Sequence, residues 1–133
     1  MPELSILTPT YKRAPMLRRC LESVVAHRDV DMEILVSDNA SPDETQDVLA
    51  SIRDPRIRSW RNPTNIGAVR NTLEVERQAR GKWMFYLTDD DYLAPGSLDR
   101  LIAVLRANDD IGVLISDRQY VDNDGRPTEV YRS

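Results

Sequence analysis

Short apolar runs of strand character alternate along this chain with segments of helical spacing, and that alternation admits few folds. The runs Leu4-Ser5-Ile6-Leu7, Ile34-Leu35-Val36, Ile57-Arg58-Ser59-Trp60, Trp83 to Leu87 and Val113-Leu114-Ile115 are β-prone. Most are too apolar to leave one face in water. After the first run, Leu17, Cys20, Leu21, Val24 and Val25 recur at helical spacing, with Pro15 suited to a first turn. Ser41-Pro42-Asp43-Glu44 has the pattern of a capping box with proline at the first helical position, ahead of an apolar face of Val48, Leu49 and Ile52. Asn65 is placed to cap a third helix running through Val69 and Leu73 to Gly81, and Leu98, Leu101, Ile102 and Leu105 mark a fourth after Pro95. Each right-handed crossover packs a helix back onto the sheet, so the pattern predicts a three-layer α/β/α sandwich around a mainly parallel central sheet. At 133 residues with 41% hydrophobic content, a single domain over residues 1–133 is the expectation.

In such folds ligands bind at the carboxyl ends of the strands. Thr8, Asp38, the aspartates after Thr88, and Asp117 terminate four of the predicted strands, which gathers hydroxyls and carboxylates on one rim. Asp89, Asp90 and Asp91 are consecutive there, and three adjacent carboxylates repel unless a cation joins them. Mg²⁺ or Mn²⁺ is the commonest such cation, and it usually serves a phosphate. An acidic turn capping the helix after Pro95 is the blander reading of the same residues. The charge of -4, from 22 acidic and 18 scattered basic residues, argues against a nucleic-acid partner. Cys20 has no second cysteine to pair with, and the first residues lack the apolar stretch of a signal peptide, so a cytoplasmic location is expected. No run approaches the ~20 apolar residues that span a bilayer, which leaves membrane association to regions not in this chain.

Four blocks, in order, resemble the family 2 glycosyltransferases with the GT-A nucleotide-sugar-binding fold. They are Ser5-Ile6-Leu7-Thr8-Pro9-Thr10-Tyr11, Glu33 to Ser41, Asn65-Ile66-Gly67 through Ala79-Arg80-Gly81, and Tyr86-Leu87-Thr88-Asp89-Asp90-Asp91-Tyr92-Leu93. The resemblance implies a donor that is a nucleotide-diphosphate sugar, UDP- or dTDP-linked. Thr8, Pro9, Thr10 and Tyr11 would line the nucleobase pocket, with Arg13 near the phosphates. An aromatic ring can stack on a base, although a plain strand-to-helix turn would use the same residues. Asp38 would accept the imide N–H of uracil or thymine. Asn39 is equally suited to binding and to helix capping. The resemblance further implies a metal motif of the Asp-x-Asp kind, here Thr88-Asp89-Asp90. Asp90 would coordinate the ion, Asp89 would face the ribose or the ion's water shell, and Asp91 would support or serve as a second ligand. Arg70, near the amino end of the third helix, suits a diphosphate as well as it suits solvent.

Family 2 members are generally inverting, which implies an acceptor hydroxyl deprotonated by a carboxylate base. That base lies well downstream of the metal motif in the family, whereas this chain continues for 42 residues past Asp91 (133 minus 91), so the base is expected outside it. Asp117 and Asp122 to Asp124 are late carboxylates, but Asn123-Asp124-Gly125 reads first as a hairpin turn. The chain is therefore expected to be a donor-binding part, cut before the acceptor half or occurring naturally as a short binder. The acceptor, whether glycan, lipid or small molecule, stays open. A non-catalytic nucleotide-sugar-binding or protein-interaction module is the alternative. A nucleotidyltransferase would want a glycine-rich phosphate loop, and Thr8 to Arg13 contains no glycine. Apolar surface near Val113 to Ile115 also raises the expectation of a homo-oligomer. His27, Cys20, Trp60 and Trp83 read as structural residues.

Overall fold

The computed structural model describes residues 1–108 and 110–132. Ten elements follow in order: β1 (Leu4–Thr10), α1 (Ala14–Val25), β2 (Met32–Asp38), α2 (Thr45–Ser51), β3 (Ile57–Arg61), α3 (Ala68–Arg77), β4 (Trp83–Tyr86), α4 (Ser97–Ala107), β5 (Arg118–Val121) and β6 (Pro127–Tyr131). Two compact units divide the chain, Met1–Ile102 and Ala103–Ser133.

The first unit is the predicted mixed α/β sandwich. Its four strands are all parallel in the order β3-β2-β1-β4. The central pair β1 and β2 is covered on both faces, and Leu4 to Leu7 and Ile34 to Ser37 have almost no exposed surface. That is why these runs are continuously apolar instead of alternating. Leu7 and Leu35 meet Val75 of α3, with Trp60 and Ala79 packed alongside. Alternate residues of β1 point to the other face, where the Cys20 thiol of α1 lies 3.7 Å from the Thr88 carbonyl. The chain winds one way through β1, β2 and β3, and α3 then carries it back across the sheet to β4 on the far side of β1. The strand order therefore reverses between β1 and β4, and in open α/β sheets that reversal point is where a ligand crevice forms.

The local starts and stops differ from expectation in three places. Helix α2 begins at Thr45, and Ser41 does not cap it. Asp43 instead accepts from the Thr45 N–H and hydroxyl, because its charged carboxylate lies two residues before the free N–H groups. Helix α3 stops at Arg77, short of Gly81. Gly81 lies in the segment leading into β4, where a Cβ would lie 2.6 Å from the Ser5 backbone nitrogen, so only glycine fits the close approach. Asn65 reaches the start of α3 indirectly, its Oδ1 accepting from the N–H of Gly67, the residue before the helix.

In the second unit, β5 and β6 form an antiparallel hairpin. Its turn is the predicted one at Asn123-Asp124-Gly125, with Gly125 at φ +78° and Asp122 accepting from the Asp124 and Arg126 N–H groups. The expected strand Val113-Leu114-Ile115 is absent. Those residues belong to no strand, with Val113 81% and Ile115 70% exposed. Three apolar residues fall at the short end of strand lengths.

Candidate functional site

The loops leaving β1 and β4 converge at the reversal point. Thr10, the last residue of β1, is buried and donates its hydroxyl to Asp89 Oδ2 at 2.7 Å. Three residues later, a single nitrogen of Arg13, Nη1, lies 3.0 Å from Asp89 Oδ1 and 2.8 Å from Asp90 Oδ2. The cation that the aspartate cluster demands is therefore supplied first by the protein itself. The hydrogen bond to Asp89 and the charges of Asp89 and Asp90 push the Arg13 pKa up further. Asp89 is buried, while the Asp90 side chain is 42% exposed. Asp91 turns aside and accepts from the Thr88 hydroxyl at 2.8 Å.

A second set of groups forms the opposite wall. Asn39, at the end of β2, accepts from the Ile66 N–H and from Asn62 Nδ2, and donates to Asn65 Oδ1. Asn71 of α3 accepts from the Ser37 hydroxyl and Asn62 Nδ2, and donates to the Ser37 carbonyl. This amide network ties the segment before α3 to the end of β2. Two non-glycine residues, Lys12 at φ +57° and Ala40 at φ +62°, hold left-handed backbone in the loops that follow β1 and β2. Such conformations cost about 1 kcal/mol each and persist only where surrounding bonds fix them. The Lys12 N–H donates to the Ser41 hydroxyl, which is one such bond.

Between the walls lies an open cavity of about 550 Å³, in the range of small-molecule sites. Pro9, Thr10, Tyr11, Arg13, Asn39, Asp89 and Asp90 all line it, joined by Asn65, Ala68, Asn71, Thr72 and Thr88. Most of the residues singled out in the sequence thus meet in one place. Thr8, Asp38, Arg70 and Asp91 do not line it. Thr8 is buried beneath, and Arg70 is exposed on α3. Asp38 is fully buried, and both its oxygens are engaged, Oδ1 by the Ser41 N–H at 2.9 Å and Oδ2 by Gln46 Nε2 at 2.6 Å. Asn62 and Gln46 escaped the sequence reading. A polar stretch Asn62-Pro63-Thr64-Asn65 ahead of a glycine was the only signal of the first, and Gln46 looks like any exposed helix residue. A second cavity of about 510 Å³ lies by His27, Leu93 and Asp99, away from the strand ends.

Among the described residues, no group of three or more histidine, cysteine or acidic side chains is gathered as a metal cage. A hard cation such as Mg²⁺ needs less, because it commonly takes one or two carboxylates and completes its shell with water and substrate phosphate. The half-exposed Asp90, beside a point where a positive charge is already held by two carboxylates, fits that requirement.

The family model for glycosyl transferase family 2 matches residues 5–132. The chain belongs to that family. It is 34% identical over 105 residues to a Campylobacter jejuni GalNAc(5)-diNAcBac-PP-undecaprenol beta-1,3-glucosyltransferase, covering 77% of this chain and 34% of the relative. The chain spans a third or less of the length of most of the curated relatives it matches, 34% of the Campylobacter enzyme and 13% of a Pasteurella multocida chondroitin synthase. Among solved structures, S. aureus TarS 1-349 in complex with UDP-GlcNAc superposes with a TM-score of 0.74 at 20% identity, covering 98% of this chain and 45% of that one. A mannosyltransferase from Pyrobaculum calidifontis, in complex with GDP-Man and Mn²⁺, gives 0.69 at 21% identity, covering 78% and 32%. These likenesses carry the fold, which is GT-A. No helix of the described residues is long and apolar enough to cross a membrane.

Proposed function

We propose that this family 2 chain is the donor-binding part of a glycosyltransferase, and that it takes a nucleotide-diphosphate sugar, UDP- or dTDP-linked, in the cavity between the ends of β1 and β4. The observation that carries the reading is the convergence of Thr10, Arg13, Asp89 and Asp90 at the strand-order reversal, opposite the asparagine wall. Tyr11, 39% exposed at the rim, offers a ring for the base. Imide recognition by Asp38 belongs to the same proposal, and it requires the base to share or displace the bond from Gln46. Arg13 offers a guanidinium to the diphosphate. Asp90, with Asp91 beside it, would hold the Mg²⁺ or Mn²⁺.

When bound, a divalent ion supplies positive charge to the diphosphate as it leaves. The chain's own residues fix the donor: Asp89, braced by Thr10, keeps the acidic wall in place, and the asparagine network keeps α3 at a fixed distance from it. In an inverting transfer the acceptor oxygen bonds to the anomeric carbon as the sugar–phosphate C–O bond breaks, the nucleoside diphosphate takes the electron pair, and a carboxylate takes the acceptor proton. No residue of this chain is assigned as that base. The acceptor, a glycan, lipid or small molecule, is likewise left to the rest of the site.

Calorimetric titration of UDP with and without Mn²⁺ tests the reading. Metal-dependent binding is expected in the native chain, and Asp90→Ala should weaken it by about tenfold or more, the loss of a charged contact. An Asp90→Ala chain that binds UDP and Mn²⁺ like the native one would remove Asp90 from the site.

A further inference from the structure

Arg13 stands where the proposed ion belongs. Its Nη1 bridges Asp89 Oδ1 and Asp90 Oδ2 at 3.0 and 2.8 Å, so one donor neutralises two carboxylates as an ion between them would. Two cations cannot share those oxygens without strong repulsion, so one must leave as the other arrives. Two features make Arg13 the group that moves. Its side chain is 48% exposed and projects from the residue just before α1, so rotation costs little packing. Asp89 does not depend on it, because the buried Thr10 hydroxyl holds the other oxygen of that carboxylate at 2.7 Å.

Resting on the donor-site reading above, we propose that Arg13 is a built-in counter-ion that competes with the divalent metal for Asp90, the proposed ligand that it bridges to Asp89. Once displaced, its guanidinium becomes available to the donor diphosphate. Without metal, the acidic wall is neutralised and Arg13 is tied down. With metal, the same residue is released toward the anion. Metal and nucleotide then bind with positive coupling, and by reciprocity each raises the other's affinity by the same factor. Arg13 thus acts against the metal and in favour of the nucleotide, whereas a purely structural salt bridge would do neither.

The test measures Mn²⁺ binding to the whole 133-residue chain by the loss of the free-ion electron spin resonance signal, first without nucleotide and then with UDP. Arg13→Met should bind Mn²⁺ about tenfold more tightly than the native chain when nucleotide is absent, the size expected on removing a cation from a carboxylate pair. The same variant should bind UDP about tenfold more weakly at saturating Mn²⁺, with a smaller coupling factor between the two. Arg13→Lys keeps the charge, and its nucleotide-free Mn²⁺ affinity should stay within about threefold of native, while its loss of the planar fork still weakens UDP. If Arg13→Met does not fold, as judged by circular dichroism, Arg13→Gln carries the same expectations. Unchanged or weaker Mn²⁺ binding in the neutral variant, beside a native chain that binds both Mn²⁺ and UDP, overturns the counter-ion role alone. A native chain that binds neither overturns the donor-site reading, and the inference with it.

Discussion

Cys20 has no exposed surface, and burial pushes its thiol up to about 12, helped by the charge of Asp89 beneath the site. The thiolate is the reactive form, so the folded protein should resist a thiol reagent such as dithionitrobenzoate at pH 8 and react fully once unfolded in guanidinium. A free thiol in the unfolded chain ionises near ~8.5, well below the folded value. The contribution of the neutral thiol is therefore complete below that pH and is lost as pH rises toward about 12, by at most about 1.4 kcal/mol per pH unit. Denaturant titrations from pH 8 to 10 should show a steeper fall for the native chain than for Cys20→Ala, and equal slopes would show that the thiol ionises freely in the fold. At this scale the acidic half of the site was legible, because carboxylates gathered directly after an apolar strand have few other uses, although β4 itself leaves Met84 and Tyr86 half exposed. Its basic half was less so. Arg13 precedes Asp89 by 76 residues, and only the adjacency of β1 and β4 brings its guanidinium between two aspartates. Sequence does not reveal that Ser41 and Gln46 fold back onto both oxygens of Asp38, the acceptor expected for the imide N–H.

Element by element, the strands with an apolar run and a parallel neighbour were the readable ones, while the boundaries depended on contacts made at long range. The sequence pattern ends α3 at Gly81, yet Gly81 lies two residues before β4 and packs against β1. Its N–H donates to the Ser5 hydroxyl at 2.8 Å, and Ser5 donates in turn to Glu33 at 2.6 Å, which ties the segment leading into β4 to β1 and β2. A methyl at Gly81 would meet the Ser5 nitrogen at 2.6 Å and the Leu4 carbonyl carbon at 2.8 Å, and backbone cannot swing away as a flexible side chain does. Gly81→Ala should destabilise the chain by about 2 kcal/mol or more, read as a lowered denaturant midpoint. Because β4 delivers Asp89 and Asp90, the same variant should also weaken UDP binding under native conditions. A midpoint within experimental error of native would mean that β4 can slide outward without cost. Val113 to Ile115 shows the opposite failure, an apolar run that does not become a strand, which composition alone cannot distinguish from one that does.

For the whole molecule, the reversal of strand order fixes where binding energy enters folding. The proposed donor site draws on β1, β2, β4 and α3 and on the loops after them, and those loops hold left-handed residues and a row of carboxylates that gain nothing from burial. Ligation should therefore stabilise the folded chain as a whole, by the full binding term. A ligand that binds only the native state at a hundred times its dissociation constant adds about 2.7 kcal/mol, which for a chain of 133 residues corresponds to a rise in Tm of roughly 10 °C. UDP and Mn²⁺ together should give that rise in a thermal melt. Mn²⁺ alone should give much less, since Arg13 already occupies the carboxylates it needs, and UDP alone little, since Arg13 is then still held by Asp89 and Asp90. The difference between the joint shift and the sum of the two separate shifts measures the coupling directly. If the separate shifts simply add, the two ligands bind independently, and the acidic rim and the nucleotide pocket are not one site.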